Sequence, residues 1–299
     1  MAPPEAPAAN VMLGLSMPES DVWSPRVTTA LGMNPGIFTG PGTNTYLVGS
    51  GPRRILLDTG QGVPAYIEVL ERALKRAGCS GLQEIELTHG HVDHIGGVRA
   101  VIERFGPLRV SKLPDAEDSS TGLLLTPLRD GESVQTEGAT LHAVFTPGHA
   151  RDHLCFWLEE ERALFSGDNV LGVGTTVIPT AGGDLLDYMA SLAKLLAGAP
   201  RRIYPAHGPC IEDGVAKLRE YIAHREQREG QIVAALRAIG PALVPELVKR
   251  IYVDVPTVLH TAAAQSVASH LLKLEREGRA RREADEAGEP PVKSRWRLA

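Results

Sequence analysis

Cysteine is scarce: the 299-residue chain carries three, Cys79, Cys155 and Cys210, widely spaced and odd in number. That is no disulfide framework, so a reducing, intracellular compartment is expected. No apolar run reaches the length of a membrane span, and no membrane partner is expected. Positive charge is not in excess either. A formal net charge of −5 excludes a protein that coats nucleic acid by bulk charge, though not one with a local basic patch. The first ten residues hold Glu5 but no Arg or Lys, so neither a secretory signal nor a transit peptide is read there. Internal repeats are missing too. What remains is an ordinary globular composition, 43% hydrophobic and 22% charged, long enough for one large domain or two smaller ones.

Against this plain background stands Thr88-His89-Gly90-His91-Val92-Asp93-His94, placed after the apolar run Glu84–Leu87. In an extended segment residues i and i+2 point the same way, so His89 and His91 are predicted to grip one ion. Asp93 and His94, where the chain turns into a helix, are displaced toward a second position. Gly90 is expected to give the turn an unusual dihedral, and Gly96-Gly97 to let the next helix pack close. Neutral imidazole with carboxylate suits zinc, with manganese or iron as alternatives.

Residues 1–22 read as a loose arm rich in Ala and Pro, and 23–228 as a catalytic domain. Within the latter, short apolar strands repeatedly end in a Gly- or Pro-containing loop bearing His or Asp: Leu57 into Asp58-Thr59-Gly60, Phe145 into Thr146-Pro147-Gly148-His149, Phe165 into Ser166-Gly167-Asp168, and Tyr204 into Pro205-Ala206-His207-Gly208. Strand ends feeding loops are where α/β folds place chemistry. Helical spacing is read over 64–77 and 184–197. The stretch from Lys112 to Glu137 reads as a polar surface excursion. From about 229 the pattern is helix, helix, helix, then two short strands around an acidic loop (Glu283 to Glu289), as in a winged helix.

The ligand candidates number seven, too many for one ion and right for two. His89, His91 and His149 would serve the first, and Asp93, His94 and His207 the second. Asp168 and a hydroxide would bridge them. Such a pair activates a shared water, so no protein nucleophile is needed. Asp93 is the candidate proton donor to the leaving group. Asp58 reads as the partner that holds a ligand imidazole from behind, His153 as a solvated or packed histidine or else a group that orients His149 or touches substrate, and Cys210 as a loop or core thiol.

The order H-x-H-x-D-H, P-G-H, S-G-D and P-x-H-G, after a strand ending in Asp58-Thr59-Gly60, resembles the metallo-β-lactamase superfamily. Gly42-Thr43-Asn44-Thr45-Tyr46-Leu47-Val48-Gly49, the Gly174–Val177 stretch and the helical tail narrow the likeness to the β-lactamase-like protein 2 family. That resemblance implies an α/β fold, a four-layer αββα sandwich with a winged-helix-like module at 229–299. It implies a dinuclear zinc endoribonuclease acting on single-stranded RNA, in the mitochondrial matrix where the family is best known in animals and otherwise in the cytoplasm. Asn44 and Thr176 become candidate substrate contacts. In the tail Arg282 and Arg295 are read as phosphate contacts, and Trp296 as a surface on which a base stacks. The alternative is a thioester or lactone hydrolase, glyoxalase II-like or acyl-carrier thioesterase-like, whose acyl-carrier members share the Gly-Thr-Asn-Thr-Tyr opening. A homodimer is left open.

Overall fold

The computed structural model describes residues 12, 14–253, 255, 256, 260–283 and 290–299. Most of the expected amino-terminal arm and of the acidic loop lies outside these residues. The first sheet has seven strands in chain order: β1 (Ser20–Ser24), β2 (Val27–Leu31), β3 (Asn44–Val48), β4 (Arg53–Leu57), β5 (Gly81–Glu86), β6 (Val110–Lys112) and β7 (Thr126–Pro127). It is antiparallel through β4 and parallel beyond. The second holds β8 (Ser133–Thr136), β9 (Ala139–Phe145), β10 (Leu154–Leu158), β11 (Ala163–Gly167) and β12 (Arg202–Pro205), in the order β12-β11-β10-β9-β8.

Side-chain alternation builds the layers. In β4, Ile55 and Leu57 face the second sheet and meet Leu141, Leu154, Phe156 and Phe165. Leu56 between them faces out, joining Tyr66, Leu70 and Leu74 of α1 (Ala65–Arg76). The same outer face, beyond the short turn α2 (Val92–Ile95), takes Val98 and Val101 of α3 (Val98–Phe105). On the far side Cys155 and Leu164 point out against α5 (Leu185–Ala197) and α6 (Gly214–Ile239). The result is helices, sheet, sheet, helices, as expected.

Two readings of the sequence are corrected. The 112–137 excursion is not merely surface. It contains the one-turn helix α4 (Asp118–Thr121), supplies β7 and β8, and sends Leu128 and Val134 into the core between the sheets. Its strands are two to four residues long, too short to show a period. Ser20 to Ser24 is a paired strand, so the arm ends earlier than residue 22. At residue 228 the chain stays helical: α6 runs 26 residues through it.

The last third of α6 joins α7 (Val244–Ile251), α8 (His260–Arg276) and a small sheet of β13 (Ala242–Leu243), β15 (Arg295–Leu298) and β14 (Ala280–Arg282). Ile232, Leu247, Leu271 and Trp296 form their core. Leu218 and Tyr221, earlier on α6, belong to the sandwich core instead. One helix thus enters both cores and ties the modules together. None of the described helices is long and apolar enough to cross a membrane.

Candidate metal centre

Four strand ends converge at one edge of the sandwich. His89 and His91 follow β5, Asp93 and His94 lie in α2, His149 follows β9, Asp168 follows β11, and His207 follows β12. Their ligand atoms form two clusters, each within 4.8 Å: His89, His91, His149 and Asp168, and Asp93, His94, Asp168 and His207. In the first, His91 Nδ1 lies 2.9 Å from His89 Nε2 and 3.0 Å from His149 Nε2. In the second, His207 Nε2 is 3.3 Å from Asp93 Oδ2 and 3.1 Å from Asp168 Oδ1. Asp168 is divided between them, with Oδ2 3.4 Å from His149 and Oδ1 3.4 Å from His94.

The approach of these groups is set from behind. Asp58, whose φ of 58° is strained for a residue other than glycine, accepts from the Thr88 N–H (2.8 Å), the Thr88 hydroxyl (2.9 Å) and His94 Nδ1 (2.8 Å). With its own proton committed to Asp58, the Thr88 hydroxyl must accept from His89 Nδ1, 3.0 Å away. One carboxylate thereby fixes two tautomers and turns both Nε2 lone pairs toward the centre. His149 donates from Nδ1 to the Val177 carbonyl at 2.8 Å, which fixes a third. Tight packing adds to this. A Cβ on Gly97 would fall 2.0 Å from the Thr59 carbonyl oxygen, so only glycine lets the turn after α2 sit on the β4 loop. Gly90 is needed for space rather than for its dihedral, which is ordinary: a Cβ there would press on Asp152.

The charges are mutually dependent. Burial first, with the neighbouring histidines adding to it, drives His89 and His149 toward the neutral form, the form that can donate a lone pair. Burial also opposes charge on His207 and His94, but Asp168 outweighs it, lifting His207 to about 9 and His94 well above its ordinary range. Asp168 in turn is held far below the usual carboxylate range, against its burial, by His207 and His94.

This donor set fits a pair of divalent ions. His94 Nε2 and Asp168 Oδ1 are buried without a hydrogen-bond partner. Three imidazole nitrogens of the first cluster also crowd within about one hydrogen-bond length, and His91 Nδ1 can carry only one proton between its two neighbours. A cation at each focus satisfies every lone pair at once.

The metallo-beta-lactamase superfamily profile matches residues 38–207, and that of the beta-lactamase-associated winged helix domain residues 244–296. The chain belongs to the metallo-beta-lactamase superfamily. Among this superfamily's members it is 42% identical to a lactamase-like protein of Penicillium aethiopicum, over 94% of this chain and 90% of that one. It is equally 42% identical to the beta-lactamase-like protein 2 homologs of Caenorhabditis elegans, over 85% and 86% of the two chains, and Drosophila melanogaster, over 87% and 92%. A metallo-beta-lactamase family protein from Thermus thermophilus superposes with a TM-score of 0.73 at 26% identity, covering 93% of this chain and all of that one.

Of the other candidates, several are not where substrate could reach them. Asn44 is buried and donates to the carbonyls of Pro205 (2.9 Å) and Gly208 (2.8 Å), so it clamps the His207 loop. The Thr176 hydroxyl lies against His149 Nδ1 at 3.2 Å, also buried. His153 accepts from the Asp168 N–H at 3.1 Å and meets the Thr146 hydroxyl at 3.0 Å, which locks the end of β11. Trp296 is fully buried in the carboxy-terminal core, its Nε1–H on the Pro291 carbonyl, so no base can stack on it. Arg282 is exposed but held bidentate by Glu275, and Arg295 donates to the Pro241 carbonyl beside Glu246. Cys210 packs at the core edge, its thiol pushed up to about 12 by burial and Glu212.

Two contributors were missed. Thr88 opens the motif stretch, where no role was read for it, and is the relay between Asp58 and His89. Lys112, assigned to the polar excursion, is fully buried with Nζ 2.6 Å from Asp152 and 2.9 Å from Asp118, bracing the floor under Gly90. A run of mixed charge gives no signal that one lysine will be buried.

Proposed function

We propose that this metal-dependent hydrolase cleaves single-stranded RNA internally. A single observation carries the hydrolytic reading: two four-residue clusters that share Asp168. Zinc suits this donor set, with manganese or iron as alternatives. Divalent ions held by these residues would supply a water activated near neutral pH and a polarised electrophile. Asp168 supplies one oxygen to each cluster and so sets their spacing. Asp93 is the remaining proton carrier. Burial would raise its carboxyl, but the His207 hydrogen bond and the His94 charge hold it below its usual range. It is therefore ionised at rest, takes a proton from the attacking water and passes it to the leaving oxygen. Asp93→Asn should lower turnover by about 10²–10⁴-fold with substrate binding little changed. Unchanged turnover would remove Asp93 from the proton path.

What supports RNA as the substrate is the resemblance to the β-lactamase-like protein 2 family, carried through the winged-helix module. A second reading, thioester or lactone hydrolysis, is favoured by a different observation. Arg279 and Arg282 of the tail are paired with Glu229 and Glu275, whereas Val92 and Val177, beside His91 and His149, are 61% and 44% exposed and offer an apolar rim to an acyl chain. Labelled single-stranded RNA and an acyl-thioester, each with and without chelator, separate the two. Chelator-sensitive RNA cuts that vanish in His91→Ala support the first. Thioester turnover with intact RNA replaces it with the second.

A further inference from the structure

The segment from Thr176 to Thr180 runs between His149 and the helices of the carboxy-terminal module, and its polar groups alternate between them. The Val177 carbonyl accepts from His149 Nδ1 at 2.8 Å. The carbonyls on either side are taken by the other face: Thr176 O by Arg225 of α6 (2.6 Å) and Ile178 O by Ser269 of α8 (2.7 Å). Two residues on, the Thr180 hydroxyl donates to Gln265 of α8 at 3.1 Å. Arg225 and Ser269 are both buried, at 5% and 4% exposure, and Arg225 lies over the Tyr188 ring with no carboxylate partner among the described residues. A buried guanidinium is costly unless it does something specific. Here its Nη2 fixes one peptide. Turning that peptide would turn the next carbonyl away from His149.

We propose that Arg225, Ser269 and Gln265 are positioning residues for the first metal ion: the middle of α6, together with α8 of the winged-helix module, holds His149 in its ligating orientation through the 176–180 segment. This rests on the reading of His149 as a ligand of that ion. The other cluster has no such dependence, because His94 is held by Asp58 and the His207 loop by Asn44, both within the sandwich. The module is therefore part of the metal site as well as an appendage to it. By reciprocity, filling the first site tightens the docking of α8.

The test is stepwise zinc binding by the full-length protein, read by competition with a chromophoric chelator, with cobalt(II) visible spectra as the signature of each site. Arg225→Met removes the donor and keeps the bulk. It should weaken the first ion about 10–100-fold, the range found for partners that orient a metal ligand, and leave the second unchanged. Arg225→Lys should recover most of the loss. Ser269→Ala should act in the same direction with a smaller effect, and it carries the test alone should Arg225→Met fail to fold. Equal weakening of both ions, as general loosening produces, overturns the proposal, and so do unchanged affinities in folded variants. Fewer than two ions in the unmutated protein would instead sink the reading of His149 as a ligand.

Discussion

His94 and His149 face the same carboxylate from opposite sides, each 3.4 Å from one oxygen of Asp168, but their supports differ in kind. His94 donates to a side chain, Asp58, fixed at the end of a buried strand, and the Thr59 hydroxyl and N–H both bond its carbonyl. His149 donates to a main-chain carbonyl in a segment outside both sheets, whose neighbouring carbonyls accept from α6 and α8 while Ile178 packs into the outer core of the sandwich. Burial does not distinguish the two, since both imidazoles are enclosed; the difference lies in what holds them. One ion site is thus preorganised by the sandwich, and the other is completed from outside it. A site of the second kind can respond to events on a separate module.

The largest effect should come from the group both halves share. Asp168→Asn keeps shape and removes charge, so both ions should be lost together and turnover should fall by about 10²–10³-fold or more. Metal analysis of the purified variant checks this. Retention of one full equivalent would show that the halves are independent and that Asp168 does not join them.

Next in size is Asp58→Asn. Asparagine tolerates the positive φ at this position better than other residues, so backbone strain does not confuse the outcome. The amide cannot accept three hydrogen bonds as the carboxylate does. The second ion should weaken by about 10–100-fold, and the first by less, since His89 keeps the Thr88 hydroxyl as its acceptor. Stepwise zinc titration distinguishes the two. A larger loss at the first ion would invert the comparison.

Why some of this was legible in the sequence and some was not has a physical basis. The four residues of H-x-H-x-D-H were, because they come together by local geometry alone: a bend just past β5, then a turn of helix. The four layers were, because strands such as Arg53–Leu57 place apolar residues on both faces. Asn44, Thr176 and Trp296 misled because a polar or aromatic residue near a motif looks the same whether it faces solvent or a carbonyl. Only the fold shows that Asn44 spans to Pro205 and Gly208, 161 and 164 residues away. The boundary near 228 leaves no mark on the helical spacing. The helix keeps its period through that point, and what changes is the core it enters.

The smallest predicted effect spares the asymmetry altogether and so serves as its control. Glu86 lies on β5, the strand that delivers ligands to both clusters, and its carboxyl oxygens are buried without partners. Burial, with Glu84 nearby, raises its carboxyl from the ordinary 4.5 to about 8. The folded state therefore holds a proton at neutral pH that the unfolded chain has released. Its contribution to stability is fully present below about 4.5, declines as pH rises and is lost as pH passes about 8. Glu86→Gln imitates the protonated form, so it should change stability little at pH 5 and raise it at pH 9, flattening that part of the profile. Urea unfolding across this range checks the slope. Zinc titration should find both ions bound as before, because a titration confined to the shared strand has no means of favouring one side of Asp168 over the other.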